Sequence, residues 1–150
     1  DTELGFKNVH PFYSKVMTKK IFKAFIHPYT TTWQRTASLP EVLATQSLLE
    51  FQYHCFELAG YSSFEAYNQA TNPIFVFKNV KIPLMILNAE DDPVCHIQNL
   101  EPYKDEIQKM PNMMVVTTKK GSHCGFYEGI NRTQSWSARL IADYLIAQHQ

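Results

Sequence analysis

An α/β fold with parallel strands, forming part of a larger domain, is what this sequence predicts. Two apolar runs lack the alternation of a half-exposed strand: residues 83–89, Pro-Leu-Met-Ile-Leu-Asn-Ala, and residues 112–118 around Met113-Met114-Val115-Val116. Such runs suit parallel strands buried on both faces. The segment between them, from about Gln98 to Met110, reads as a crossover helix that Pro111 ends. Two strands of this kind cannot complete a core, although 150 residues would suit one domain by length. The chain therefore reads as an incomplete domain.

Before these strands the pattern is helical. Residues 1–10 carry no clear period. Pro11 suits the first position of a helix running to about Ile26. Lys15, Lys19, Lys20 and Lys23 fall largely together, with Ile21, Phe22, Phe25 and Ile26 grouped apart. That predicts a solvated face over a packed one; too few lysines are present to favour a membrane-surface helix. His27-Pro28-Tyr29-Thr30-Thr31-Thr32 reads as a loop, and a second helix is expected from about Pro40 to Phe51–Tyr53. Ser62-Ser63-Phe64-Glu65 fits a capping box with Ser62 as the cap, opening a short helix to about Ala70 that Asn72-Pro73 stops. The last element, from about Gln134 to Gln148, places Trp136, Leu140, Tyr144, Ile141 and Leu145 on one stripe, with Arg139 and Asp143 facing away.

Composition excludes some functions. Fourteen basic and fourteen acidic residues balance, which gives no support for nucleic-acid binding, since that needs a basic face. No apolar run reaches the roughly 18 residues of a membrane span, and no signal peptide is visible. Cys55, Cys95 and Cys124 form no disulfide framework, which points to a reducing, intracellular setting. Asn131-Arg132-Thr133 has the form of a glycosylation sequon.

The chemistry gathers after the strands. The first is followed by Glu90-Asp91-Asp92-Pro93, the second by Gly121-Ser122-His123-Cys124-Gly125-Phe126. If the strands are parallel neighbours, their C-terminal ends share the sheet edge where open α/β sheets place their ligands. Asp92 and His123 then meet as the acid and base of a nucleophile–His–acid triad. Gly121 and Gly125 free the backbone around His123 to aim the ring. Adjacent side chains in a turn point different ways, so only one acid should reach His123; Asp91 is expected to bond turn amides. Cys95-His96 and His123-Cys124 lack the spacing that puts two metal ligands on one face, so no metal site is expected. Cys124 is expected to pack as a small apolar residue, Phe126 as a core anchor, and Glu128 as an acceptor near the His loop or final helix.

Ala89-Glu90-Asp91-Asp92-Pro93 and His123-Cys124-Gly125-Phe126-Tyr127-Glu128-Gly129 resemble the acid turn and His loop of α/β-hydrolases. They are most similar to the branch of the YheT-type esterases and the eukaryotic membrane-associated lipid esterases. Gly60-Tyr61, Tyr67 and Ala70-Thr71 resemble that branch's stretch before the acid strand, and the resemblance runs from about Phe51 to the C-terminus. It implies the C-terminal part of an α/β-hydrolase fold. Residues 1–71 would be a cap-type helical region, and 72–150 the part of the core carrying the acid and the His. The implied activity is hydrolysis or acyl transfer on carboxylic esters, lipid-like ones above all. Asp92 would orient the imidazole and His123 would act as general base and then acid. This mechanism needs no metal or organic cofactor. The family's Gly-Gly-His stands here as Gly121-Ser122-His123, and no Gly-x-Ser-x-Gly elbow occurs in the chain. Nucleophile and oxyanion loop are therefore expected upstream of Asp1, in an N-terminal half that would also carry any membrane anchor. Two other readings are a non-catalytic hydrolase-like scaffold and a separately made chain that pairs with a nucleophile-bearing partner.

Overall fold

The computed structural model describes residues 1–131 and 133–149. The sequon spans Arg132 and so lies outside the described residues. The chain forms two compact units, Asp1–Phe77 and Lys78–Gln150.

The first unit is helical. Helix α1 (Thr2–Asn8) occupies a stretch whose sequence shows no period. Its start is set by Asp1, whose carboxylate accepts from Leu4 N at 3.1 Å. Polar ties then hold it: Thr2 N donates to Asn72 Oδ1, and Gln52 Nε2 donates to Thr2 Oγ1, each at 3.1 Å.

Helix α2 (Pro11–Ile21) opens on Pro11 as expected and continues as a π-helical segment, Phe22–Ile26. Its buried positions are Ser14, Thr18 and Ile26, while Phe25 is 62% exposed, so the packed stripe differs from the apolar group expected. Ser14 goes inside because its Oγ accepts from Leu48 N at 2.9 Å, and a first-turn amide has no partner within its own helix. The four lysines lie in solvent or at its margin. Residues 27–32 are not a loop: a 3-10 turn (His27–Tyr29) runs into one turn of α-helix, α3 (Thr30–Trp33). There Thr30 Oγ1 donates back to the carbonyls of Ile26 and His27.

The single helix expected from Pro40 to Tyr53 is two, α4 (Leu39–Ala44) and α5 (Leu48–His54). Thr45 turns extended, with ψ 144°, and Ser47 caps α5 by accepting from Glu50 N. Glu50 reaches back to Gln46 N at 2.8 Å. Helix α6 (Phe64–Thr71) is capped by Ser63, one residue later than the capping-box reading, and ends at Asn72-Pro73 as expected. Val42 and Leu48, with Leu39, Ile26, Val9 and Cys55, make up the buried apolar centre of this unit.

The second unit is built on a parallel pair, β1 (Leu84–Ala89) and β2 (Met113–Thr118), in register from Leu84↔Met113 to Ala89↔Thr118. Both strands, their direction and their adjacency match the sequence reading. Full burial does not: only Ala89 is buried and the other residues are half-buried or exposed. The crossover is not one helix from Gln98. It is a 3-10 stretch (Ile97–Tyr103) followed by α7 (Lys104–Gln108), with Pro102 inside the first piece. Proline has no N–H to continue an α-helical ladder. After the His loop, β3 (Tyr127–Glu128) pairs antiparallel with β4 (Gln134–Ser135), a ladder too short to show in the sequence.

Helix α8 (Trp136–Gln148) follows, capped by Ser135. Trp136, Leu140 and Tyr144 are half-buried, but Ile141 and Leu145, expected on the packed stripe, are 44% and 52% exposed. Among the described residues no helix is long and apolar enough to cross a membrane.

Candidate functional site

The register of the parallel pair fixes the site. Ala89 and Thr118 are partners at the C-terminal ends, and Glu90 N extends the ladder by donating to Thr118 O at 2.8 Å. The two chains leave the sheet side by side, and their turns deliver Asp92 and His123 to each other. His123 Nδ1 lies 3.0 Å from Asp92 Oδ2.

Asp92 is buried, at 6% exposure, and its two oxygens divide the work. Oδ1 accepts from Val94 N at 2.8 Å and Cys95 N at 2.9 Å, which locks the carboxylate in its turn. Oδ2 is left to face His123. Burial pushes the Asp92 pKa up. The amides of Cys95 and Val94 and the His123 ring outweigh it, so the group sits below the usual carboxylate range. An ionised Asp92 can only accept. The Nδ1–H of His123 must donate, which leaves the lone pair of the neutral ring on Nε2. Nε2 makes no hydrogen bond among the described residues, and the His123 side chain is 49% exposed.

Asp91 points elsewhere. It does bond a backbone amide, as expected, but one in the opposite loop: Oδ1 accepts from Ser122 N at 2.8 Å, and Lys120 Nζ lies 3.6 Å from Oδ2. The Ser122 amide and the Lys120 charge hold its pKa below the usual range. The partner of Asp91 could not be read from the sequence, because it depends on the strand register.

The His loop is tight. Gly125 N donates to Gly121 O at 2.6 Å, closing a turn around His123. A Cβ at Gly121 would stand 2.5 Å from Phe126 Cδ1 and 3.1 Å from Ala89 Cβ, so only glycine fits there. Ser122 has φ +50°, the left-handed region that favours glycine. Phe126 is half-buried against Gly121 and Trp136, in keeping with an anchor. Glu128 forms a two-pronged ion pair with Arg139 of α8, at 2.7 and 2.8 Å. Cys124 is exposed rather than packed, because the turn directs residues 122–125 into solvent.

Asn88 steadies the other side. Its Nδ2 donates to Cys95 O and Ala89 O, each at 3.0 Å, tying the acid turn to the strand end. Neither Asn88 nor Cys95 was singled out as part of an acid–base pair by the sequence. An open cavity of about 710 Å³, lined in part by Asp91, Lys120, Ser122, Phe126 and Trp136, lies beside the His loop.

The arrangement can hold an imidazole by one nitrogen in a fixed tautomer, with its other nitrogen open to accept a proton. No Gly-x-Ser-x-Gly sequence is present to supply a nucleophile in an elbow.

No family model matches the chain, and no solved structure matches it. Curated relatives do. The human monoacylglycerol lipase ABHD2 is 32% identical over 88 residues, covering 57% of this chain and 21% of that protein. The abhydrolase domain-containing protein 2 of Drosophila melanogaster is 25% identical over 133 residues, covering 84% of this chain and 33% of that protein. An abhydrolase domain-containing protein of Dictyostelium discoideum is 24% identical over 128 residues, covering 85% and 31%. The matched part of this chain thus spans between a fifth and a third of these relatives.

Proposed function

Starting from a chain that belongs to the α/β-hydrolase superfamily, we propose that it carries the C-terminal part of that fold and supplies the acid and base of a serine hydrolase acting on carboxylic esters. The observation that carries this reading is the 3.0 Å contact between Asp92 Oδ2 and His123 Nδ1 at the aligned ends of β1 and β2. Asp92 orients the ring and stabilises the imidazolium. His123 Nε2 takes the proton from a serine hydroxyl and then returns it to the leaving alcohol. The serine and the oxyanion donors come from elsewhere in the natural polypeptide. Residues 1–71 act as a cap-type helical region and 72–150 as the part of the core that bears the pair.

Relatives named monoacylglycerol lipases support a lipid ester, with a glycerol monoester as the first substrate to try. Placement in the branch that resembles YheT-type esterases rests on the quoted acid-turn and His-loop motifs alone.

Fluorophosphonate labelling of the natural protein, read by intact mass and peptide mapping, tests this function. A labelled serine in a Gly-x-Ser-x-Gly peptide, on a polypeptide that also contains Asp92 and His123, is the expected result. A full-length polypeptide that carries the pair but neither labels nor contains an elbow serine would instead favour the scaffold reading.

A further inference from the structure

The acid–base pair has a third neighbour. Cys95 follows Asp92 by three residues, and its Sγ, a carboxylate oxygen of Asp92 and a ring nitrogen of His123 all lie within 4.8 Å of one another. The adjacent Cys-His pairs that raise a metal question in the sequence are not the ones that converge. His96 and Cys124 stand outside this cluster; the grouping comes from the acid turn folding back on the His loop. We propose that Asp92, Cys95 and His123 form a binding site for a thiophilic divalent cation of the zinc type, and that its occupation switches off the acid–base pair. The second half of this statement rests on the hydrolase reading above; the first does not.

Ligand type and spacing both fit. Thiolate, imidazole and carboxylate are the three donors that zinc takes from proteins, at about 2.0–2.3 Å, and three protein ligands leave a fourth position for water. Donors at those bond lengths around a tetrahedral ion stand about 3.3–3.6 Å apart. The Asp92 Oδ2 to His123 Nδ1 distance of 3.0 Å and the 4.8 Å limit on the whole set bracket that separation. Only small side-chain shifts are needed, and Cys95 and His123 are both exposed enough to make them and to admit an ion. The anchor is already rigid: Asp92 Oδ1 is held by two backbone amides, so Oδ2 can change partner without the turn moving. Carboxylate and thiolate together cancel the charge of a divalent ion, and the thiol proton leaves to solvent as the ion binds.

The consequence for the pair is chemical. An imidazole that binds a cation through Nδ1 must carry its remaining proton on Nε2 if it is neutral. It then has no lone pair with which to take a proton from a hydroxyl. Asp92 is engaged by the same ion and no longer orients the ring.

Cobalt(II) is the probe. Titrated into the natural full-length protein under reducing conditions, it should produce a thiolate-to-cobalt charge-transfer band that zinc displaces. Cys95→Ser should abolish the band and Cys124→Ser should keep it, with both variants retaining the wild-type circular dichroism. No band, or a band that survives Cys95→Ser, overturns the site. In parallel, zinc should suppress fluorophosphonate labelling of the wild type at least tenfold and lose that effect in Cys95→Ser. Labelling indifferent to saturating zinc overturns the switch. A protein that never labels would fail the hydrolase reading, and the switch with it, while the cobalt band still decides the metal site.

Discussion

Asp91 Oδ1 accepts the Ser122 N–H at 2.8 Å, so the acid turn grips the backbone of the His loop one residue before His123 itself. Two adjacent aspartates thus divide between the loop and its side chain: Asp91 holds the backbone and Asp92 the ring. Lys120 Nζ, 3.6 Å from Asp91 Oδ2, adds a solvent-exposed ion pair of small worth.

This division makes Asp91 a positioning residue in the proposed hydrolase. Asp91→Ala removes the acceptor and should lower kcat in the full-length protein by roughly 10–100-fold, the scale of a small misplacement of a catalytic group. Asp91→Asn keeps an oxygen in place and should recover most of the rate. Steady-state kinetics on a soluble ester compares the two; equal losses in both variants would assign the effect to charge instead of position.

Ser122 is a strained substitute for glycine. Holding a non-glycine residue at φ +50° costs about 1–2 kcal/mol, and the greater freedom of an unfolded glycine returns about 0.4–1 kcal/mol of that. Ser122→Gly should therefore raise the unfolding free energy by about 0.5–1 kcal/mol, read as a higher urea midpoint. Ser122→Val should lower it.

Gly121 leaves no such latitude. An added methyl meets the Phe126 ring and the Ala89 side chain, and overpacking of this kind costs about 1–3 kcal/mol. Gly121→Ala should destabilise the protein by that amount and reduce activity beyond it, because Phe126 and the His loop move together. Comparing the melting temperature with the rate at a temperature where the variant is fully folded separates the two effects.

Acid should unfold this region through its two aspartates. Both carboxyls are depressed in the folded chain, Asp92 by backbone amides and His123 against the opposing effect of burial, and Asp91 by the Ser122 amide and Lys120. A depressed carboxyl binds fewer protons folded than unfolded, so its stabilisation is whole above the ordinary value of about 3.9. It is lost as pH falls through the lower, folded value. Asp92→Asn should flatten the acid limb of a melting-temperature profile and leave the limb above about pH 5 unchanged in slope.

How far the sequence could be read depends on what specifies each element. The β1–β2 pair was legible because apolar runs without alternation, separated by one crossover, leave few arrangements, and parallel pairing puts both C-terminal strand ends on one edge. That topology brings the acid turn to the His loop; the choice of Asp92 over the adjacent Asp91 came from the resemblance to the α/β-hydrolase acid turn. What escaped was set by single hydrogen bonds. Helix α1 exists through its Asp1 cap and its ties to Gln52 and Asn72. The break between α4 and α5 is the Ser47 cap, and the start of α6 differs by one serine. Helix α2 buries Ser14, which hydropathy ranks as surface, because α5 presents it an amide. On α8, Ile141 and Leu145 carry a helical period but stay 44% and 52% exposed, and periodicity alone cannot say what covers a stripe.

The central claim is that Asp92 orients His123 for proton transfer. It is tested most directly by the turnover of Asp92→Asn in the full-length protein, with Asp91→Asn beside it. Loss of the ionised acceptor allows the wrong imidazole tautomer, and kcat should fall by about 10⁴-fold in Asp92→Asn, with only a mild loss in Asp91→Asn. Near-normal turnover in Asp92→Asn, or the reverse ranking of the two variants, would contradict the assignment.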